Sequence, residues 1–464
     1  MTHADLVVRN ARVYTAEGSY DGGIAIKDGL IVAVGDNGSL PPGHEVIDAA
    51  GKALLPGLID AHVHVRAPGN PSREDFGSGT AAAAAGGIST IFEMPVSEPG
   101  VANAEILLRR AELAARDAVV DFALYGGGGT SNVAEMAGMA AAGAVGFKTF
   151  MHGPPAGREA EYEGLHVLDD GALYDVFEAA GKTGLLACVH AENDALVSHG
   201  IAKMKAQGRV DPMAHGPSRP PIAEIEAAGR VILLARAAGA RVSLCHISLA
   251  ETALLARRAR FGGQEVFVES CPHYLVHNER IMAEVGPFAK INPPIRSEEH
   301  RRELWRCLEE GWLDYLASDH APFTEADKEG SPEDIFGVPS GSPGLETLVP
   351  VLADAMLRSP SLGLSTLVRT LALHPAKAFG LYPQKGALLP GSDGDFVLID
   401  TERRRVVSRD RMYSKSRGSA RLYDGWEVTG WPVMTAVRGR VVMRDGEVVG
   451  ERGFGRMVKP QLKR

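Results

Sequence analysis

Leu58-Ile59-Asp60-Ala61-His62-Val63-His64-Val65 ends an apolar run with two histidines one residue apart. Side chains alternate faces along a β-strand, so His62 and His64 point to one side. Neutral imidazole is the commonest metal ligand, and two on one strand face can share an ion. The competing reading of the pair alone is two core histidines satisfied by hydrogen bonds, because so short a motif also arises by chance. The sequence around it decides between them.

Downstream of the pair, short β-branched runs alternate with helical segments, the pattern of a parallel α/β fold. The strand candidates are 58–65, 88–93, 119–125, 144–150, 185–191, 241–247, 265–271 and 313–319. Helical patterns between them include Asn103 to Ala118, Gly171 to Thr183, Ile222 to Ala238 and Glu298 to Gly311. Eight strand–helix units in about 320 residues predict an α/β fold, a (β/α)8 TIM-like barrel. Gly126 to Gly129 read as a loop with tight backbone turns after the third strand. The chain ends differ. Short strands with turns such as Lys27-Asp28-Gly29 and Arg444-Asp445-Gly446-Glu447 fill both. Neither end buries a face alone, so the two are expected to pair into a small β-sandwich. The expected division is 1–52 and 386–464 for the sandwich and tail, and 53–385 for the barrel.

The 464 residues leave room for a barrel of about 250 residues or more plus this extra module. Apolar content of 45% and charged content of 23% are those of a soluble globular protein. A formal charge of −9 argues against a nucleic-acid or anionic-membrane partner. There is neither a secretory leader pattern at the start nor an apolar run of roughly 18 residues. Cys188, Cys245, Cys271 and Cys307 form no Cys-x-x-Cys pair, and a reducing cytoplasm is expected.

Active sites of such barrels gather at the C-terminal ends of the strands. The first strand ends in His62 and His64, the fourth carries Lys148, the fifth ends in His190, the sixth in His246 and the eighth in Asp319. Scattered core histidines would not choose one rim so consistently, which favours metal. A lysine within an apolar strand is costly to bury as a cation and repels a divalent ion. It escapes by pairing with a carboxylate, or by reacting with CO2 to give an anionic carbamate that bridges two metals. Charge favours the carbamate: two divalent ions bring four positive charges, and Asp319, a carbamate and a bridging hydroxide bring three negative ones. Two imidazoles per metal complete the sites and leave a place open for water or substrate. A binuclear centre makes hydroxide available near neutral pH and polarises a carbonyl, so hydrolysis is the expected chemistry. Asp319 is the expected proton shuttle, from the hydroxide to a leaving nitrogen.

This constellation resembles the cyclic amidohydrolase branch of the amidohydrolase superfamily, which holds hydantoinases, dihydropyrimidinases, allantoinases and dihydroorotases. The similar segments span nearly the whole chain: Pro56-Gly57-Leu58-Ile59-Asp60-Ala61-His62-Val63-His64, Gly146-Phe147-Lys148, Val189-His190-Ala191-Glu192-Asn193, Cys271-Pro272-His273-Tyr274-Leu275, Asn292-Pro293-Pro294-Ile295-Arg296 and Ser318-Asp319-His320. The resemblance implies N6-carboxylated Lys148, two metals (usually zinc), Asp319 as acid/base, a small-molecule cyclic amide or imide as substrate, and a homotetramer or homodimer. Val120 to Gly128, Gly143 to Lys148, Tyr382 to Gly386 and the tail Gly453-Phe454-Gly455 look most like the L-hydantoinase type. D-hydantoinases place an oxyanion-binding tyrosine where this chain has Gly153; His152 or a backbone N–H would have to substitute. Arg66 matches the carboxylate-binding arginine of dihydroorotases, but the asparagine that assists it there is Val96 here; the plainer reading of Arg66 is a rim salt bridge. Allantoinase is therefore the first alternative to a hydantoin-opening enzyme, and dihydroorotase the second. Asn292 is expected to hydrogen-bond the cyclic amide or to cap a loop. Ser340 stands where relatives bind the imide through the backbone. Glu192 is a candidate to orient His190, His273 reads as a neighbour of the ligands or as core, and His320 as a lid or rim histidine. Phe150, Met151 and Phe323 are candidates for an apolar wall. A non-catalytic scaffold is the remote alternative, disfavoured because all six ligand positions are filled.

Overall fold

The computed structural model describes residues 3–330 and 334–461. Its central element is a ring of eight short parallel strands. Leu58–Val63, Ile88–Glu93 and Asp121–Leu124 pair in that order. Gly146–Phe150, Leu186–His190, Val242–Leu244, Val266–Ser270 and Tyr315–Leu316 continue it. The ring closes at two seams. Val145 N donates to Leu124 O at 2.8 Å between the third and fourth strands, and His64 N donates to His320 O at 2.8 Å between the eighth and the first. The strands thus form the predicted (β/α)8 barrel, with helices such as Ala104–Asp117, Asp170–Thr183, Pro221–Ala238 and Glu298–Glu309 outside it. Helix starts follow local chemistry: Asn103, Asp169 and Ser297 each accept a backbone N–H from the first turn.

Inside the ring, Ile59, Phe92, Tyr125, Cys188, Cys245 and Tyr315 fill the lower barrel, and Phe379 seals it from below. This packed floor keeps the upper rim as the one place in the barrel for chemistry. Gly127 and Gly129 let the third loop pass the backbone of Gly164, where a Cβ would lie 2.5 Å from main-chain atoms. Among the described residues, no helix is long and apolar enough to cross a membrane.

Both chain ends build a second, nine-stranded sheet. Ala4–Tyr14 sits at its middle beside Ser19–Lys27, Gly43–Asp48 and Ala53–Pro56, and Phe396–Val406 joins through Ala53–Pro56. Leu6, Val8, Ile24, Phe396, Leu398 and Met434 from both ends meet in one apolar cluster. Eight of its strands follow one hydrogen-bonded path, and Gly43–Asp48 branches from it at Ala4–Tyr14. Ala53–Pro56, expected at the start of the barrel, belongs here instead, because its backbone bridges the N-terminal and C-terminal strands. The final segment runs back along the barrel, where Val458 N donates to Phe122 O at 2.8 Å.

A buried charge cluster ties sheet to barrel. Lys385 Nζ lies 2.6 Å from Asp121, 2.6 Å from Asp395 and 2.9 Å from Asp393. Arg438 adds a second cation on Asp121. The three carboxylates surround a lysine, so they are a structural brace rather than a metal site. Lys385→Met leaves three buried carboxylates facing one arginine. It is expected to destabilise the protein by about 3–5 kcal/mol, read as a lower guanidinium midpoint at unchanged far-UV circular dichroism.

Candidate functional site

Local backbone devices turn the strand ends into a converging rim. A register shift between Asp60 and Val63 re-aims the end of the first strand. His246 and Asp319 take left-handed conformations, with φ of 41° and 47°, and so does Arg66 at 66°. Non-glycine residues in this region carry strain that surrounding structure must hold, and such residues cluster at functional sites. The left-handed His246 allows Cys245 to pack in the barrel while the next side chain also turns to the mouth.

The imidazoles of His62, His64, His190 and His246 and the Asp319 carboxylate meet on the floor of one cavity of about 570 Å³. Asp319 Oδ1 lies 3.3 Å from His62 Nε2 and 3.6 Å from His64 Nε2. His190 Nδ1 lies 3.1 Å from His246 Nε2. The His62 ring is 5.3 Å from the His246 ring, which joins the two pairs. Lys148 lies beneath them, fully buried, and its Nζ finds no hydrogen-bond partner among the described residues. A structural ion pair, the alternative for this lysine, is therefore not formed. Two groups of facing nitrogen and carboxylate donors with an unpartnered buried amine between them form a donor set that suits divalent metal ions.

Electrostatics favour neutral, ligating imidazoles at most of these positions. Burial, with Arg66 nearby, pulls His64 well down. Burial and Lys148 do the same to His246, and burial lowers His190 despite Glu192. His62 differs. Burial opposes its charge, but Glu269 and Asp319 outweigh burial and lift it to about 10. Burial also opposes the Lys148 ammonium, and Cys245, Glu269 and Asp319 outweigh it. Burial holds the Asp319 carboxyl above its ordinary range, against His62 and Lys148.

A surrounding layer fixes the rings. Glu269 Oε1 lies 2.7 Å from His62 Nδ1 and accepts from His246 N at 3.0 Å, so one carboxylate oxygen orients two strand ends. Sequence reading missed Glu269; its only signal was a carboxylate inside the apolar seventh strand. Glu192 Oε2 lies 2.9 Å from His190 Nε2, and Arg219 grips Glu192 with two bonds of 3.0 and 2.6 Å.

The remaining candidates divide. Arg66, His152, Gly153, Asn292 and Ser340 line the cavity, as do Phe150 and Phe323, whereas Met151 does not. His152 packs 4.8 Å from the His190 ring, and burial lowers it to about 3. Tyr162, nine residues past Gly153, lines the cavity beside Phe150. Asn292 Oδ1 is buried without a partner among the described residues. Val96 is core, packed with Phe150, Tyr162 and Leu165. His273 meets the Tyr274 ring edge-on and lines a separate small hollow. His320 is no rim residue: fully buried, its Nδ1 accepts from Gly344 N at 3.1 Å. Arg73 and Arg158 also line the cavity and were not singled out in the sequence.

The sequence profile of the amidohydrolase family matches residues 53–442. The chain belongs to the amidohydrolase family. This amidohydrolase is 37% identical over 455 residues to an L-hydantoinase of Paenarthrobacter aurescens, covering 98% of each chain. It is 36% identical to an allantoinase of Rubrobacter xylanophilus over 100% of this chain and 99% of the other. Among solved structures, the L-hydantoinase (dihydropyrimidinase) from Arthrobacter aurescens superposes with a TM-score of 0.94 at 37% identity, covering 98% of this chain and 100% of that one. A D-hydantoinase crystal structure reaches 0.89 at 32% identity, covering 98% of both.

Proposed function

We propose that the protein hydrolyses the ring of a cyclic amide or imide, most simply a five-membered hydantoin. The observation that carries this reading is the meeting of four histidines, Asp319 and the unpartnered Lys148 amine at the bottom of a cavity sized for a small molecule. His62, His64, His190, His246 and Asp319 would hold two divalent cations, zinc by the family resemblance, with Lys148 as a bridging carbamate. Such cations, when bound, polarise a ring carbonyl and provide hydroxide near neutral pH. Asp319 accepts the proton of the attacking water at Oδ1 and returns it to the departing ring nitrogen. Asn292 Oδ1 accepts a ring N–H, and Ser340 faces the ring from the opposite loop. Phe150 and Phe323 wall the cavity and exclude water from the ring.

Purified enzyme loaded with zinc and bicarbonate is expected to open 5-monosubstituted hydantoins faster than dihydrouracil. Failure on hydantoins, allantoin, dihydrouracil and dihydroorotate alike would reject a ring-opening function. Allantoin is the second reading, favoured by the allantoinase relative that spans the whole chain. Glu192→Gln keeps the shape beside His190 but loses the charge that Arg219 and the imidazole share. It is expected to weaken metal retention by about 10- to 100-fold, measured by competition with a chelator.

A further inference from the structure

Two lysines are buried beside the cavity. Lys290 is 6% exposed and Lys328 fully buried. Among the described residues, the acceptors that their Nζ atoms reach are all main-chain carbonyls. Lys290 Nζ donates to Ile335 O at 2.7 Å, to Val338 O, and at 3.4 Å to Phe336 O. Lys328, on the short helix Glu325–Glu329, donates to Pro339 O at 3.0 Å, Lys290 O at 3.2 Å and Pro287 O at 3.3 Å. The Lys290 carbonyl also accepts from Gly341 N at 2.9 Å. The segment from Ile335 to Gly341 is thus gripped at the carbonyls of Ile335, Val338 and Pro339 and at the amide of Gly341. Each of these bonds runs to Lys290 or Lys328. Other main-chain bonds anchor its flanks, from Ile335 N to Val210 O at 2.8 Å and from Ala321 N to Ser342 O at 3.1 Å.

Burying an ammonium is costly, and a packing role alone is met by an apolar chain. An ammonium brings what an apolar chain lacks, several N–H donors on one atom, and the carbonyls around each Nζ use them. What they hold is a wall of the cavity. Phe336, Val338, Pro339, Ser340 and Gly341 line it, as do Lys290 and, two residues on, Asn292. Asn292 and Ser340, the ring contacts of the proposed function, sit on different loops. Lys290 belongs to the first loop and grips the second through both its side chain and its carbonyl. The lysine pair therefore sets the spacing of the two loops that meet a ring.

We propose that Lys290 and Lys328 are positioning residues, a clamp that holds the wall from Ile335 to Gly341 against the Asn292 loop and so sets the grip on a bound ring. The inference rests on the ring-opening reading and adds to it the residues that fix two sides of the site. Both ammonium groups act through the backbone they hold. The rings of His62 and His190 are oriented separately, by Glu269 and Glu192. Loss of the clamp therefore acts on binding, and its signature is a change in KM rather than in kcat.

The test is Lys290→Ala, which removes the side chain beyond Cβ and leaves the carbonyl that Gly341 N and Lys328 use. In zinc-loaded protein, KM for hydantoin is expected to rise about tenfold, the scale of lost hydrogen bonds from a charged donor, with kcat and metal content nearly unchanged. Amide exchange over 335–341, followed by mass spectrometry without substrate, is expected to quicken in the same variant. n-Propylammonium matches the missing part of the side chain. It is expected to reverse both effects where n-propanol does not, and to leave the wild type unmoved. A residue that merely stabilised the fold would lower kcat and metal content together and would not answer to an amine. Lys328→Met is expected to raise KM as well, and to add little when combined with Lys290→Ala, because the two grip one segment. Unchanged KM and exchange, a loss of kcat and metal in step with KM, or no response to the amine overturns the clamp. Quickened exchange that the amine reverses, in a protein that opens no ring, keeps the clamp and overturns the hydrolase reading instead.

Discussion

Lys148→Ala is expected to lower kcat/KM by about a thousandfold to ten-thousandfold, the equivalent of several kcal/mol of lost charge stabilisation. Metal content is expected to fall with it. The reason lies in what surrounds Nζ. It lies 5.0 Å from the centroid of the Phe150 ring, with no acceptor of its own among the described residues. An ammonium there repels divalent cations, whereas a carbamate would offer them anionic oxygen ligands. Glu269 and Asp319 favour the ammonium while no cation is present. Carboxylation and metal uptake should therefore occur together, and reconstitution of the wild type should quicken with added bicarbonate. In Lys148→Ala a short carboxylate such as acetate or propionate fits the vacated space and is expected to restore part of the activity. Lys148→Met fills that space with an apolar chain and is not expected to respond. Elemental analysis alongside turnover checks both points. An alanine variant with full metal content and normal rate would remove Lys148 from the site.

What could be read from the chain follows the reach of local rules. Alternation along a strand depends on near neighbours, so the eight strands and the rim positions of His62, Lys148, His190, His246 and Asp319 were legible. Non-local pairing was not. Ala53–Pro56 is a short apolar run whose place in the end sheet is set by its pairing with Ala4–Tyr14 on one side and Phe396–Val406 on the other. Glu269 was overlooked because attention to strand ends passes over a residue one turn of the pleat lower, yet it orients two histidines from there. His320 looked like a rim residue because it follows Asp319; the left-handed turn at Asp319 swings it into the core instead. Arg73 and Arg158 lie in segments without periodicity, and their convergence on Phe323 is a property of the folded loops alone.

Asp319→Asn is expected to cut kcat by about a hundredfold to ten-thousandfold, the range for loss of a positioned acid/base, with KM changed little. The size follows from how firmly the carboxylate is held. Ser318 N donates to Asp60 Oδ1 at 3.1 Å on one side, and His320 N donates to Ser318 Oγ at 2.9 Å on the other. His320 is itself anchored through Gly344 N. The backbone is thus fixed around a strained left-handed residue, and the amide variant keeps the position while losing the proton transfer. Asparagine retains an oxygen toward His62 and His64, so metal should persist where Lys148→Ala loses it. That contrast separates a proton-shuttle role from a purely ligating one. Leaving-group dependence gives a second separation. If Asp319 protonates the departing nitrogen, rings whose nitrogen leaves readily without protonation should suffer less from the variant. Across a series of N-substituted hydantoins, the rate should become more sensitive to leaving-group pKa in Asp319→Asn than in the wild type. An unchanged slope, with metal retained and kcat reduced, would assign Asp319 to holding metal and pass the proton transfer to another group in the cavity.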